Sequence, residues 1–98
     1  MLLETDGYEV VGEAVDGMSG LRAARELKPD VVLLDVQLPD IDGFDVASRL
    51  TSADGAPKVV LTSTRDVSEL QMLIRRSGAR GFVPKTELSG SAIAALLP

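Results

Sequence analysis

An α/β fold, a parallel sheet with helices on both faces, is what this sequence predicts, and three observations carry the prediction. Short apolar runs recur along the chain, and two of them, residues 31–34 and 59–61, are unbroken stretches of Val and Leu. Such runs suit parallel strands that are covered on both faces. Segments of helical periodicity alternate with the runs, and the connections between them are short. Regular strand–helix alternation of this kind implies right-handed crossovers within one sheet.

The elements follow in order. Residues 9–15 form the first apolar run and stand as the first strand in the series. Residues 18–28 repeat apolar side chains at Met18, Leu21, Ala24 and Leu27, and Pro29 ends that helix. After the strand at 31–34, residues 44–51 place Val46, Ala47 and Leu50 on one helical face, with Asp42 as N-cap. The strand at 59–61 precedes a helix at 67–77 that carries Leu70, Leu73 and Ile74. Asp66 and Glu69 stand at capping-box spacing before it, and Gly78 sits where a C-cap glycine is expected. A strand at 81–83 and a short helix at 89–97, burying Ile93, Leu96 and Leu97, complete the series. No linker, repeat or low-complexity segment interrupts it, so the 98 residues read as one domain.

Composition narrows the function. The chain holds no cysteine and no histidine. Disulfides, thiolate metal sites, a histidine base and a Ser–His triad are therefore excluded within it. A net charge of −5 argues against direct nucleic-acid contact by this domain. No apolar run approaches the roughly 20 residues of a membrane span, and no basic-then-apolar leader opens the sequence. The expectation is a cytoplasmic protein without membrane contact.

In an open α/β sheet, ligands bind outside the carboxyl ends of the strands. Asp35 follows the run 31–34, Thr62 and Ser63 follow 59–61, and Pro84 and Lys85 follow 81–83. A carboxylate, a hydroxyl and an ammonium thus meet at one sheet edge. Taken singly, each has a plainer explanation as a cap, a turn residue or a solvated charge. Jointly they suit phosphoryl chemistry, with the carboxylate as nucleophile and the other two stabilising the oxygens of the transferred group.

Three motifs in order make the likeness specific. The stretch DVVLLDVQLPDIDGFDV, the strand KVVLTS and the segment GARGFVPK together resemble the receiver domain of two-component response regulators. Ser63 lies 28 residues after Asp35 and Lys85 lies 22 after Ser63, intervals that agree with that family. The resemblance implies a flavodoxin-like doubly wound sheet and a signalling module rather than an enzyme. It makes Asp35 the phosphoacceptor, served by a sensor histidine kinase with Mg²⁺ present. Ser63, in preference to its neighbour Thr62, would donate to a phosphoryl oxygen, and Lys85 would pair with the acyl phosphate. Phe82 matches the switching aromatic, and Asp35 with the backbone carbonyl of Gln37 matches metal ligands. Asp40 and Asp42 are read as turn and cap residues, not ligands, and Gly43 as a backbone requirement at a helix start. The Pro-Lys-Thr-Glu-Leu ending, residues 84–88, resembles receivers joined to helix-turn-helix DNA-binding domains.

One departure shapes the expectation. The family's first strand, ending in an acidic pair that holds Mg²⁺, has no counterpart, because residues 1–3 match the end of the helix that follows it. The expected architecture is therefore truncated, about four strands and four helices, with the receiver domain spanning 1–98 but incomplete at its N-terminus. Three explanations stand: the sequence is a clipped form of a complete receiver, or the two flanking strands close up and pair directly, or a second copy in a strand-exchanged homodimer covers the open ladder. Phosphorylation of the chain is expected to be poor. The alternatives are a phosphorylation-independent degenerate receiver that works by dimerisation or protein binding, and a nucleotide-binding enzyme. Neither G-x-G-x-x-G nor G-x-x-x-x-G-K-[ST] occurs, which leaves the enzyme remote.

Overall fold

A computed structural model describes residues 14, 16–52, 55–64 and 71–96 of the chain. All of the expected strand at 9–15 except residue 14, the helix end at 1–3, the cap formed by Asp66 and Glu69, Leu70 and Leu97 lie outside the described residues. Within them the order is α1 (Gly17–Leu27), β1 (Val31–Asp35), α2 (Gly43–Thr51), β2 (Lys58–Ser63), α3 (Gln71–Arg76), β3 (Gly81–Pro84), a 3₁₀ turn (Lys85–Glu87) and α4 (Gly90–Ala94). The three described strands pair in parallel in the order β1-β2-β3. This is the α/β class that the alternation predicts.

β2 is the centre of the described sheet. Val59, Val60 and Leu61 have no solvent exposure, because strands lie on both sides of β2 and helices on both faces. Alternation sorts the side chains. Leu34, Val59 and Leu61 pack with Leu21 of α1, Phe44, Val46, Ala47 and Leu50 of α2, and Ile74 of α3. On the opposite face Val60 and Val83 pack with Ile93 of α4, and Val31, Leu33 and Leu96 close around them. Each fully buried Val or Leu contributes about 1.5–3 kcal/mol relative to exposure.

The helix termini follow the sequence. Asp16 caps α1 by accepting from the Ser19 amide at 2.8 Å, and Asp42 caps α2 by accepting from the Phe44 amide at 2.7 Å. Ser89 does the same for α4 through the Ala92 amide. Gly78 has φ 78°, the left-handed conformation expected of a helix C-cap glycine. A clasp joins two helix ends there: the Thr51 hydroxyl at the end of α2 donates to the Ser77 carbonyl at 2.8 Å.

Two expectations about faces need correction. Met18 and Leu27 are each 47% exposed, and Leu73 of α3 is also exposed. At 100° per residue, Met18 lies about 60° to one side of Leu21 and Leu27 about 120° to the other. The buried stripe of α1 runs through Gly17, Leu21 and Ala24 and is too narrow to include either. Leu73 flanks Ile74, which takes the core-facing position on α3.

Two backbone sites give direct tests. A Cβ at Gly43 would fall on the Asp35 carbonyl oxygen and within 2.8 Å of the Val36 Cα and carbonyl oxygen, all backbone atoms that cannot rotate away. Gly43→Ala is expected to destabilise by about 1–3 kcal/mol in urea unfolding. Lys28 closes α1 with φ 47° and ψ 56°, a left-handed conformation for a residue with a Cβ. Lys28→Gly is expected to stabilise by about 1 kcal/mol in the same experiment.

Candidate functional site at the carboxyl edge of the sheet

Strand register brings the site residues together. Asp35 pairs with Thr62, and Ser63 with Pro84, so the three strands end level. The β1–β2 ladder continues one residue further, with the Val36 amide donating to the Thr62 carbonyl at 2.9 Å. That bond fixes the backbone on which Asp35 stands. Lys85 starts the 3₁₀ turn straight after β3, which carries its ammonium back to the same edge.

The central contact is an ion pair. Lys85 Nζ lies 2.6 Å from Asp35 Oδ2, with both side chains partly exposed. Asp35 Oδ1 accepts from the Gln37 amide at 2.9 Å. The carboxylate is thus held from two sides, one oxygen by an ammonium and the other by the loop that follows it. In water-exposed surroundings such a pair contributes at most about 1 kcal/mol. Its value is therefore orientation.

The two hydroxyls of β2 differ. Thr62 is buried and donates to the Val83 carbonyl at 2.7 Å, which commits it to the β2–β3 seam. Ser63 is equally buried, one residue nearer the edge and level with Pro84. Successive strand side chains face opposite ways, so the two are not interchangeable. Phe82 is half-buried and packs against the core cluster of Leu61 and Ile74. Gln37 is exposed two residues beyond Asp35.

Asp40 is where sequence reasoning stopped short. Its two carboxylate oxygens accept from the Gly17 amide at 2.7 Å and the Met18 amide at 2.9 Å, and Oδ1 also accepts from its own neighbour Ile41. Asp40 therefore caps α1 from 23 residues away, in addition to the local cap by Asp16. The Met18 amide, then the Gly17 amide, hold the Asp40 carboxyl below the usual carboxylate range. The reading of Asp40 as a turn and capping residue agrees with this geometry. Asp42 is likewise engaged with α2. No periodicity or local motif marks a cap supplied across that distance.

Among the described residues, Asp35 and the backbone carbonyl of Gln37 are the groups that would offer oxygen donors to a divalent cation at this edge. Among the described residues no three acidic side chains converge. Hard oxygen donors fit Mg²⁺ in kind, but one ion-paired carboxylate falls short of its octahedral shell in number.

The comparisons with known proteins decide the family. The sequence matches the response regulator receiver domain over residues 1–96. The chain belongs to the response regulator receiver family. It is 39% identical over 87 residues to the virulence-factor positive transcription regulator BvgA of Bordetella pertussis, covering 89% of this chain and 42% of that protein. It is 37% identical over 99 residues to the transcriptional regulatory protein PdtaR of Mycobacterium tuberculosis, covering 92% and 48%. The chain thus spans less than half the length of these curated relatives. Among solved structures, the signal receiver domain of the response regulator NarL from Mycobacterium tuberculosis superimposes with a TM-score of 0.82 at 33% identity, covering 96% of this chain and 80% of that one. The BeF3-activated receiver domain of Klebsiella pneumoniae RstA follows with 0.79 at 28% identity, covering 95% and 78%. The fold is accordingly the flavodoxin-like receiver fold, and the relatives are regulatory proteins of two-component systems. Among the described residues no helix is long and apolar enough to cross a membrane.

The Asp40 cap carries a pH signature. A carboxyl whose folded pKa is depressed stabilises the fold above its unfolded value, near 3.8, and loses that contribution as pH falls through the lower folded value. Asp40→Asn is expected to lower Tm at pH 7, with the difference from the parent shrinking as pH falls below about 3.8. Thermal unfolding followed by circular dichroism across that range checks it.

Proposed function

We propose that this receiver accepts a phosphoryl group on Asp35 from the phosphohistidine of a sensor histidine kinase. The observation that carries the reading is the Lys85–Asp35 ion pair at the carboxyl edge of the sheet. An Asp35 oxygen attacks phosphorus, the N–P bond breaks, and the kinase imidazole leaves with the electron pair. Lys85 neutralises charge on the acyl phosphate. Ser63 donates its hydroxyl to a phosphoryl oxygen, a role that Thr62 is poorly placed to fill because its hydroxyl is engaged with Val83. Asp35 and the Gln37 carbonyl would hold Mg²⁺, which would supply charge neutralisation for the transferred group.

The added group brings about −1.5 to −2 charges and three acceptor oxygens. Ser63 and Lys85 are drawn to it, and Phe82 turns inward into the space released. The face formed by α3, β3 and α4 changes accordingly, and it serves a homodimer or a docked output domain. Relatives named as transcription regulators support a DNA-binding output elsewhere in the parent protein. A cytoplasmic location goes with that reading. A second reading, a degenerate receiver that binds partners without phosphoryl transfer, draws on the same ion pair, since Lys85 already occupies one oxygen of Asp35.

Intact-mass measurement after exposure to acetyl phosphate or a phosphorylated kinase, with Mg²⁺, separates these readings. The expected result is sub-stoichiometric modification that disappears in Asp35→Asn and forms roughly 10-fold or more slowly in Ser63→Ala and Lys85→Ala. Thr62→Val is expected to lower stability by about 1–3 kcal/mol and leave the rate within a few-fold. Label surviving Asp35→Asn overturns the acceptor assignment, and a slower rate in Thr62→Val than in Ser63→Ala overturns the hydroxyl assignment. Complete absence of label supports the degenerate reading.

A further inference from the structure

The parallel topology separates charge between the two ends of this domain. Strand N-termini and helix C-termini share one edge, opposite the site. Arg25, Arg49, Arg75 and Arg76 stand in the last turns of α1, α2 and α3, and all are exposed. There they offset the negative helix ends. That explanation does not extend to Lys58, which opens β2, or to Arg80, which precedes β3, because strands carry only small dipoles. Both are exposed, and Lys28 between α1 and β1 joins them. Glu26 and Asp30 are the described acids at that edge. The opposite edge carries exposed Asp40, Asp42, Asp45 and Glu87 together with the partly buried Asp16 and Asp35, and Lys85, the described cation there, is paired with Asp35.

We infer that the basic edge of one chain docks on the acidic edge of a second copy, giving a head-to-tail contact. Charge complementarity selects this occupant. The net charge of −5 makes two copies repel in most orientations, and end-to-end placement is the arrangement that sets unlike charges against each other. The contact joins two different surfaces and leaves one of each free, so it propagates beyond a dimer. It is distinct from any pairing through the α3–β3–α4 face and does not require phosphorylation; a phosphoryl group on Asp35 adds negative charge to the acidic edge. Because the charges are exposed, the association is weak and screened by salt over a Debye length of about 10 Å at 0.1 M.

Sedimentation velocity on the full chain at roughly 20 and 200 mM NaCl tests the inference. The expected result is an average mass that rises with concentration past the dimer at low salt, with about a tenfold weaker association at high salt. Arg75→Glu/Arg76→Glu/Arg80→Glu and, on the other edge, Asp45→Lys/Glu87→Lys each abolish the rise. An equimolar mixture of the two variants restores it, which a general loss of folding would not do. Lys58→Glu/Arg80→Glu, off the helices, replaces the triple variant if circular dichroism shows that variant unfolded. A monomer at all concentrations overturns the inference. So does association that stops at a dimer, persists at high salt or survives the charge reversals, and so does retention of the basic edge on a polyanion column by a chain that stays monomeric.

Discussion

The burial of β2 between two strands and two helical layers is the constraint on which the rest of this molecule depends. Val59, Val60 and Leu61 reach zero exposure only when β1 and β3 flank them and both faces are covered. A slip of one residue would turn every side chain of β2 to the other face. Register is therefore fixed by packing, and register is what sets Asp35, Ser63 and the approach to Lys85 level with one another. The chemistry at the edge is a by-product of a core that admits one alignment.

The loop from Val36 to Asp42 depends on that alignment in turn. Gly43 comes so close to the Asp35 and Val36 backbone that no side chain fits, and its amide donates to the Val36 carbonyl at 3.0 Å. Asp40, midway along, reaches over to the start of α1. Asp35 itself holds the Gln37 amide. The segment that follows the reactive carboxylate is thus anchored at its beginning, middle and end, by groups on three different elements. That anchoring keeps the carboxylate presented at the edge although much of its surroundings is solvent.

Much of this was legible beforehand. Unbroken Val and Leu runs gave the buried strands because no other element needs apolar residues on consecutive positions over so short a length. Asp42 and Gly78 marked helix ends because capping is local chemistry, readable from a few adjacent residues. The carboxylate, hydroxyl and ammonium at strand ends could be grouped from topology alone. Met18, Leu27 and Leu73 were misplaced because apolar periodicity defines a stripe but not its width, and the width depends on how closely the neighbouring helix and sheet approach.

Sequence by itself determined the class of fold, the ends of the helices and the position of Asp35 after a strand, since each rests on local propensity and pattern. Tertiary structure alone decided the Lys85–Asp35 contact, the engagement of Thr62 with Val83 and the cap that Asp40 lends to α1. Those contacts join residues 21 to 50 positions apart in the chain. Their geometry depends on register and helix approach, quantities set by packing and not by any single segment. The charge separation between the two ends lies between these cases: the residues are plain in the sequence, but only parallel topology gathers them onto opposite edges.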